Sequence, residues 1–238
     1  MNFRRKSGKL IVSSATIKPA RKTIMTTKTK WIIRLCYGLG LLYISLFVQP
    51  PYHFLLLNTF LAYIPIELAF HISSKRPQNT LLFWLGILIW LLFYPNAPYL
   101  LTDLFHLSLL HPYADTGLIR LSISMWIYYI YMLIAVIPSV LLGMWSMTQV
   151  TRSIVSRYHF RHWFEIGIVG IFTTLSSVGI FIGRFLRLHS IYLLISPEWV
   201  LKPIFNMWSW QMLAFVILMT LLQSTIYLVL RVIRNSKY

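Results

Sequence analysis

Residues 81–110 read LLFWLGILIWLLFYPNAPYLLTDLFHLSLL. The first 14, Leu81 to Tyr94, carry no charge. As an α-helix they would rise about 21 Å, at 1.5 Å per residue. That falls short of the roughly 30 Å hydrocarbon core of a bilayer. The run then meets Pro95-Asn96-Ala97-Pro98. Two prolines remove two backbone donors and crowd the preceding turn, so the helix is expected to break there, close to a membrane interface. Carbonyls freed by the break must find partners inside the protein, and Asn96, with both donor and acceptor groups, is suited to that task. A helical pattern resumes from Tyr99 to Leu107. It puts Asp103 and His106 at i and i+3 on one face, beside an apolar face of Leu100, Leu104, Leu107 and Leu110.

The rest of the chain gives this broken apolar segment its setting. Of 238 residues 58% are hydrophobic and only 11% charged, against about 25% charged in soluble domains; the mean hydropathy is +0.68. So few charges cannot cover a water-facing surface, whereas lipid needs none. The aromatic share of 16% fits interfacial belts. Five further apolar stretches run over Trp31–Val48, Tyr52–His71, Leu121–Met147, Phe164–Ile182 and Trp208–Leu230, each near the about 20 residues that a crossing needs. The expected fold is all-α: a polytopic transmembrane helix bundle of six spans with a broken third helix. The lone cysteine, Cys36, lies in the first span and excludes an intramolecular disulfide. No internal repeat is visible, which weighs against transporter folds built from duplicated halves.

Net charge is +17. The basic residues sit between the apolar spans, so the excess points to membrane topology and excludes a nucleic-acid surface. With the amino terminus inside, 18 of the 22 Lys and Arg fall on the inner side and four, Arg120, Arg184, Arg187 and Lys202, on the outer. The inner excess remains 11 to four without residues 1–24. Both termini are therefore expected in the cytoplasm. Residues 1–30 are expected to form a basic, disordered cytoplasmic arm lying against anionic lipid, where each Lys or Arg adds about 1 kcal/mol. Their composition also fits an organellar transit peptide, and Met25 offers a second start. Residues 31–230 would form the membrane domain and 231–238 a short basic cytoplasmic tail. No A-x-A-like site follows the first span, which is read as an anchor.

The unusual polar residues fall in a few places. Asn96, Thr102, Asp103 and His106 follow the break. Arg184 and Arg187, at i and i+3 behind Gly179 and Gly183, close the fifth span on the side where arginine is disfavoured. Small residues allow another backbone to approach. Asp103 and Arg184 are expected to pair or to share a hydrogen-bond network; the alternative is two arginines snorkelling to headgroups. Glu67 and His71 stand at i and i+4 near the inner end of the second span, with Glu67 solvated or bonded to His71 or Lys75. Glu165 opens the fifth span, where a carboxylate suits the helix dipole. His189 joins Asp103, His106 and His111 on the outer side, but their spacing matches no metal motif. No phosphate loop, nucleophile elbow or paired catalytic carboxylates appear, so no metal and no cofactor is expected.

Two of these segments carry a resemblance. Tyr94-Pro95-Asn96-Ala97-Pro98-Tyr99-Leu100-Leu101-Thr102-Asp103-Leu104-Phe105-His106-Leu107 resembles the P-N-A-P-Y-x-x-T-D-x-x-H-L hallmark of the bacterial domain of unknown function 1361 family. Gly183-Arg184-Phe185-Leu186-Arg187 resembles that family's G-R-F-x-R, which is followed by W-N-S-W-D. Here the tail reads Leu188-His189-Ser190-Ile191-Tyr192: only Ser190 matches, and Tyr192 takes the acidic position. The resemblance spans roughly residues 35–230. It implies a multi-pass protein of a bacterial plasma membrane and an emphasis on Asn96, Thr102, Asp103, His106, Arg184 and Arg187, without an activity. Three function classes stay open. One is an enzyme or binding protein for an anionic or lipid-linked substrate at the outer leaflet. The second is a small transporter, and the third is an assembly partner of another membrane protein.

Overall fold

The computed structural model describes residues 25–48, 50, 52–161, 163–187 and 197–236. Among them the chain forms helices α1 (Thr27–Phe47), α2 (Phe54–His71), α3 (Thr80–Phe93), α4 (Asn96–Asp103), α5 (Ile123–Arg157), α6 (Trp163–Phe185), α7 (Pro197–Asn206) and α8 (Trp210–Asn235), with a 3-10 segment over Leu104–Leu110. Six segments are long and apolar enough to cross a membrane: α1, α2, Thr80–Leu110, α5, α6 and α8. The protein is an all-α, multi-pass membrane protein.

Local chemistry sets the ends of these helices. Thr26 Oγ1 accepts from Thr29 N at 3.2 Å, so α1 starts four residues before Trp31. Asn79 Oδ1 caps α3 by accepting from Leu81 N and Leu82 N at 2.8 and 3.3 Å. α5 continues to Arg157, well past Met147, because Thr148, Val150, Thr151, Ser153 and Ile154 are buried along its extension. Likewise α8 runs to Asn235, so residues 231–235 continue its last turns.

Interhelical bonds show how the spans alternate. At one end, called proximal here, Lys30 Nζ donates to Phe70 O (2.8 Å), Arg157 Nη1 to Pro77 O (2.7 Å) and Arg152 Nε to Glu165 Oε1 (3.2 Å). At the distal end the Tyr43 and Tyr131 hydroxyls meet at 2.6 Å and Arg184 reaches Asp103. α2 packs most extensively on α5, α4 wedges between these two, and α6 pairs with α8. α1 leans mainly on α2, and most of it faces outward. A buried aromatic core fills the middle: Trp90 stacks on Tyr94 at 4.7 Å between ring centroids and meets Phe172 at 5.2 Å.

Between α3 and α4, Tyr94 and Pro95 keep right-handed helical dihedrals, with φ of −54° and −56°. The turn tightens there: Ala97 N donates to Tyr94 O (3.1 Å), and Asn96 Nδ2 donates to the Phe93 carbonyl (2.9 Å). Two glycines let neighbouring helices come close. A β-carbon on Gly143 of α5 would lie 2.6 Å from Ala97 Cβ, and one on Gly179 of α6 would lie 2.7 Å from Pro95 Cγ. α4 is thus held between α5 and α6 by contacts that only glycine permits.

Candidate functional site

The close approach of α6 to Pro95 and Tyr99 sets the height of Arg184. Its guanidinium lies over the Tyr99 ring, 4.9 Å from the centroid. Nε donates to Thr102 Oγ1 and one Nη to Asp103 Oδ1, each at 3.1 Å. The Thr102 hydroxyl is oriented for this, since it donates its own proton to Tyr99 O at 2.7 Å. Asn58 Nδ2 of α2 supplies the other carboxylate oxygen, Asp103 Oδ2, at 2.7 Å. Asp103 is fully buried and Arg184 is 20% exposed. An uncompensated carboxylate at that depth would cost several kcal/mol; here each oxygen accepts an N–H. The carboxylate is a fixed anion that holds a guanidinium in place.

His106 lies in the 3-10 segment and not in a continuation of α4. The tighter coil turns its ring away from the carboxylate. Nδ1 lies 3.0 Å from the backbone oxygen of Asp103 and 3.9 Å from Oδ1, so the two residues sharing a face are joined by a side chain-to-backbone bond. A carbonyl only accepts, so Nδ1 carries the proton, and in the neutral ring Nε2 keeps a lone pair. The ring packs on Phe54 at 4.2 Å and is 30% exposed. Tyr52 OH donates to the His106 carbonyl at 3.4 Å.

The structure thus brings Thr102, Asp103, His106 and Arg184 together, with Asn96 at the α3–α4 junction. Arg187 is exposed just beyond α6, with φ of +54°. His189 lies outside the described residues. Among the described residues no three His, Cys, Asp or Glu side chains converge as metal ligands.

Glu67 and His71 belong to a separate cluster at the proximal end. His71 Nε2 meets Glu67 Oε1 at 3.0 Å. The dominant partner is Arg34 of α1, which grips both carboxylate oxygens, Nε at 3.0 Å from Oε2 and a second nitrogen on Oε1; Tyr63 OH also donates to Oε2. Lys75, offered as an alternative, is not among these partners. Glu165 is buried and bonded to Arg152, a stronger reason for its place than the helix dipole alone.

Sequence reading missed Asn58, Arg34 and Arg152 as partners. Asn58 had a signal: it is the one amide in the apolar run of α2, and a lone amide at membrane depth needs a polar partner. Arg34 and Arg152 were counted only as topology charges.

Comparison with known proteins bears on residues 57–226, which match the model of a family described as "Protein of unknown function (DUF1361)". The match covers most of the chain and includes both segments that meet at Asp103 and Arg184. Neither a curated protein nor a solved structure matches. The chain belongs to the DUF1361 family.

Proposed function

We propose that this DUF1361 member binds an anionic, lipid-linked substrate at the distal end of its bundle and acts on it there. The observation that carries this reading is the buried Asp103, held by Arg184 and Asn58. Ionisable residues within membrane spans are costly and mark functional sites by default. Asp103 supports the reading indirectly: with both oxygens occupied it positions Arg184. The Arg184 guanidinium spends Nε and one Nη on the protein and keeps further N–H donors for a phosphate or carboxylate oxygen. Arg187 adds a second cation within one turn. The His106 Nε2 lone pair is the group to take or return a proton. The loop charges put the proximal end in the cytoplasm, which would place this site at the outer leaflet.

The test is an untargeted lipid and metabolite comparison between cells with and without the gene, followed by complementation. Arg187→Gln and His106→Gln spare the buried pair, so they should insert normally yet fail to restore the wild-type profile. Full restoration by both would sink the proposal. Orientation is read separately in a Cys36→Ser background, with an impermeant thiol reagent applied to intact cells. Thr116→Cys should label and Gln78→Cys should not; the reverse pattern would invert the topology.

A second reading, a small transporter, is favoured by one feature. Thr173, Ser177, Thr220 and Gln223 form a polar seam between α6 and α8, and Gln223 Oε1 is buried without a hydrogen-bond partner among the described residues. Solute flux in proteoliposomes, abolished by Gln223→Leu, would favour it. Vesicles that stay sealed to anionic solutes would return the choice to the first reading.

A further inference from the structure

Six arginines among the described residues are half-buried: Arg34, Arg152, Arg157, Arg184, Arg231 and Arg234. Four of them spend their donors on the protein: Arg34 on Glu67, Arg152 on Glu165, Arg157 on the Pro77 and Gln78 carbonyls, and Arg184 on Asp103 and Thr102. Arg231 and Arg234 donate to no described residue. They lie on the last turns of α8, three residues apart. One turn earlier comes Tyr227, only 4% exposed, whose hydroxyl is buried with no hydrogen-bond partner among the described residues.

Positions 227, 231 and 234 are i, i+4 and i+7, on one face of the helix. The same face turns toward α5 and α6, since Tyr227 packs in one buried cluster with Val150 and Ile154 of α5 and Val169 of α6, the helices that carry Arg152 and Glu165. Two cations on the last turns of α8, Arg231 and Arg234, thus have no bonded partner among the described residues, and a buried hydroxyl proton one turn earlier on the same face goes unused. Like charges repel, and a buried donor left unsatisfied is expensive. An anion with several acceptor oxygens resolves both at once.

We propose that the proximal end of α5, α6 and α8 forms a binding site for a phosphate oxyanion, held by Arg231, Arg234 and the Tyr227 hydroxyl. A phospholipid headgroup is the source its location favours, because Arg231 and Arg234 sit on the last turns of a membrane-spanning helix. Basic pockets between spans at such depth take anionic headgroups. The site is separate from the distal one and does not depend on the function proposed for it, nor on which leaflet the proximal end faces.

The full chain in detergent is titrated with phosphatidylglycerol, with phosphatidylcholine and with inorganic phosphate, and bound ligand is read by native mass spectrometry. Phosphatidylglycerol should bind in preference to phosphatidylcholine. Arg231→Gln with Arg234→Gln should weaken it about thirtyfold, on about 1 kcal/mol per cation. Tyr227→Phe, which removes one hydroxyl and leaves the packing intact, should weaken it about fivefold. Competition by inorganic phosphate would support the same site and assign it to a free oxyanion. Equal binding of phosphatidylglycerol by wild type, the double variant and Tyr227→Phe would overturn the proposal. So would failure of the wild type to bind either anion. If the double variant does not fold, Tyr227→Phe decides alone.

Discussion

Asp103 and Glu67 are both carboxylates in membrane spans, each gripped by an arginine from another helix, yet they sit in opposite environments. Asp103 is completely buried, and its partners Arg184 and Asn58 come from two other helices, with Thr102 holding Arg184 in turn. Glu67 is 29% exposed, one turn from the end of α2, and its partners crowd at one interface: Arg34, Tyr63 and His71. Water can relieve any gap in the second cluster. Asp103 itself is sealed off, so each of its oxygens needs an N–H from the protein. The same ion pair is therefore a positional constraint at the distal site and a surface tie at the proximal one.

Removing one partner from each is the most direct way to break this contrast. Arg184→Ala should destabilise the protein by about 3–5 kcal/mol, the cost of stranding a buried charge, read from denaturant unfolding in detergent. The paired change Asp103→Asn with Arg184→Gln should recover part of that loss, since it leaves no charge unpaired. A double variant as unstable as the single one would show that packing, not charge, sets the cost.

Gly179→Ala leaves every charge in place and presses a β-carbon against the Pro95 ring, which is tied to the backbone and cannot swing away. A loss of about 1–3 kcal/mol is expected. Wild-type stability would mean that the α4–α6 contact has room to relax. Asn58→Ala strips one donor from Asp103 Oδ2 and should cost about 1–3 kcal/mol by the same measurement. It tests whether Arg184 alone can neutralise the carboxylate. At the small end, Glu67→Gln should change stability by about 1 kcal/mol or less, and high salt should narrow the difference further. A loss as large as that of Arg184→Ala would erase the distinction between the two sites.

The residues explain which parts were legible. The Pro95–Pro98 punctuation is local chemistry, and so is the capping by Asn96. Asp103 and Arg184 could be paired in advance because each is a polar outlier at the same end of an apolar run. Asn58 could not, because nothing local says which face of α2 turns toward α4. For Glu67 the sequence offers solvation or a bond to His71 or Lys75; the His71 bond forms, and Arg34 joins it from another helix, 33 residues away. His106 was read on an α-helical wheel; the 3-10 segment from Leu104 moves its ring onto the Asp103 carbonyl. The free donors of Arg231 and Arg234 were invisible, because the charge rule counts arginines without asking what they touch.

The sequence by itself determined that this is a six-span helical membrane protein, where its apolar segments run, and which few polar residues stand out. Those properties follow from hydropathy, proline chemistry and charge, which act within about one helix length. Only the tertiary structure decided that Asn58 completes the Asp103 site, that Arg34 closes Glu67, and that Tyr227, Arg231 and Arg234 of α8 bond to no described residue. Each depends on how one helix is rotated against another. Lipid treats all apolar faces alike, so that rotation is set by close packing, as at Gly143 and Gly179, and by the need of every buried charge for a partner.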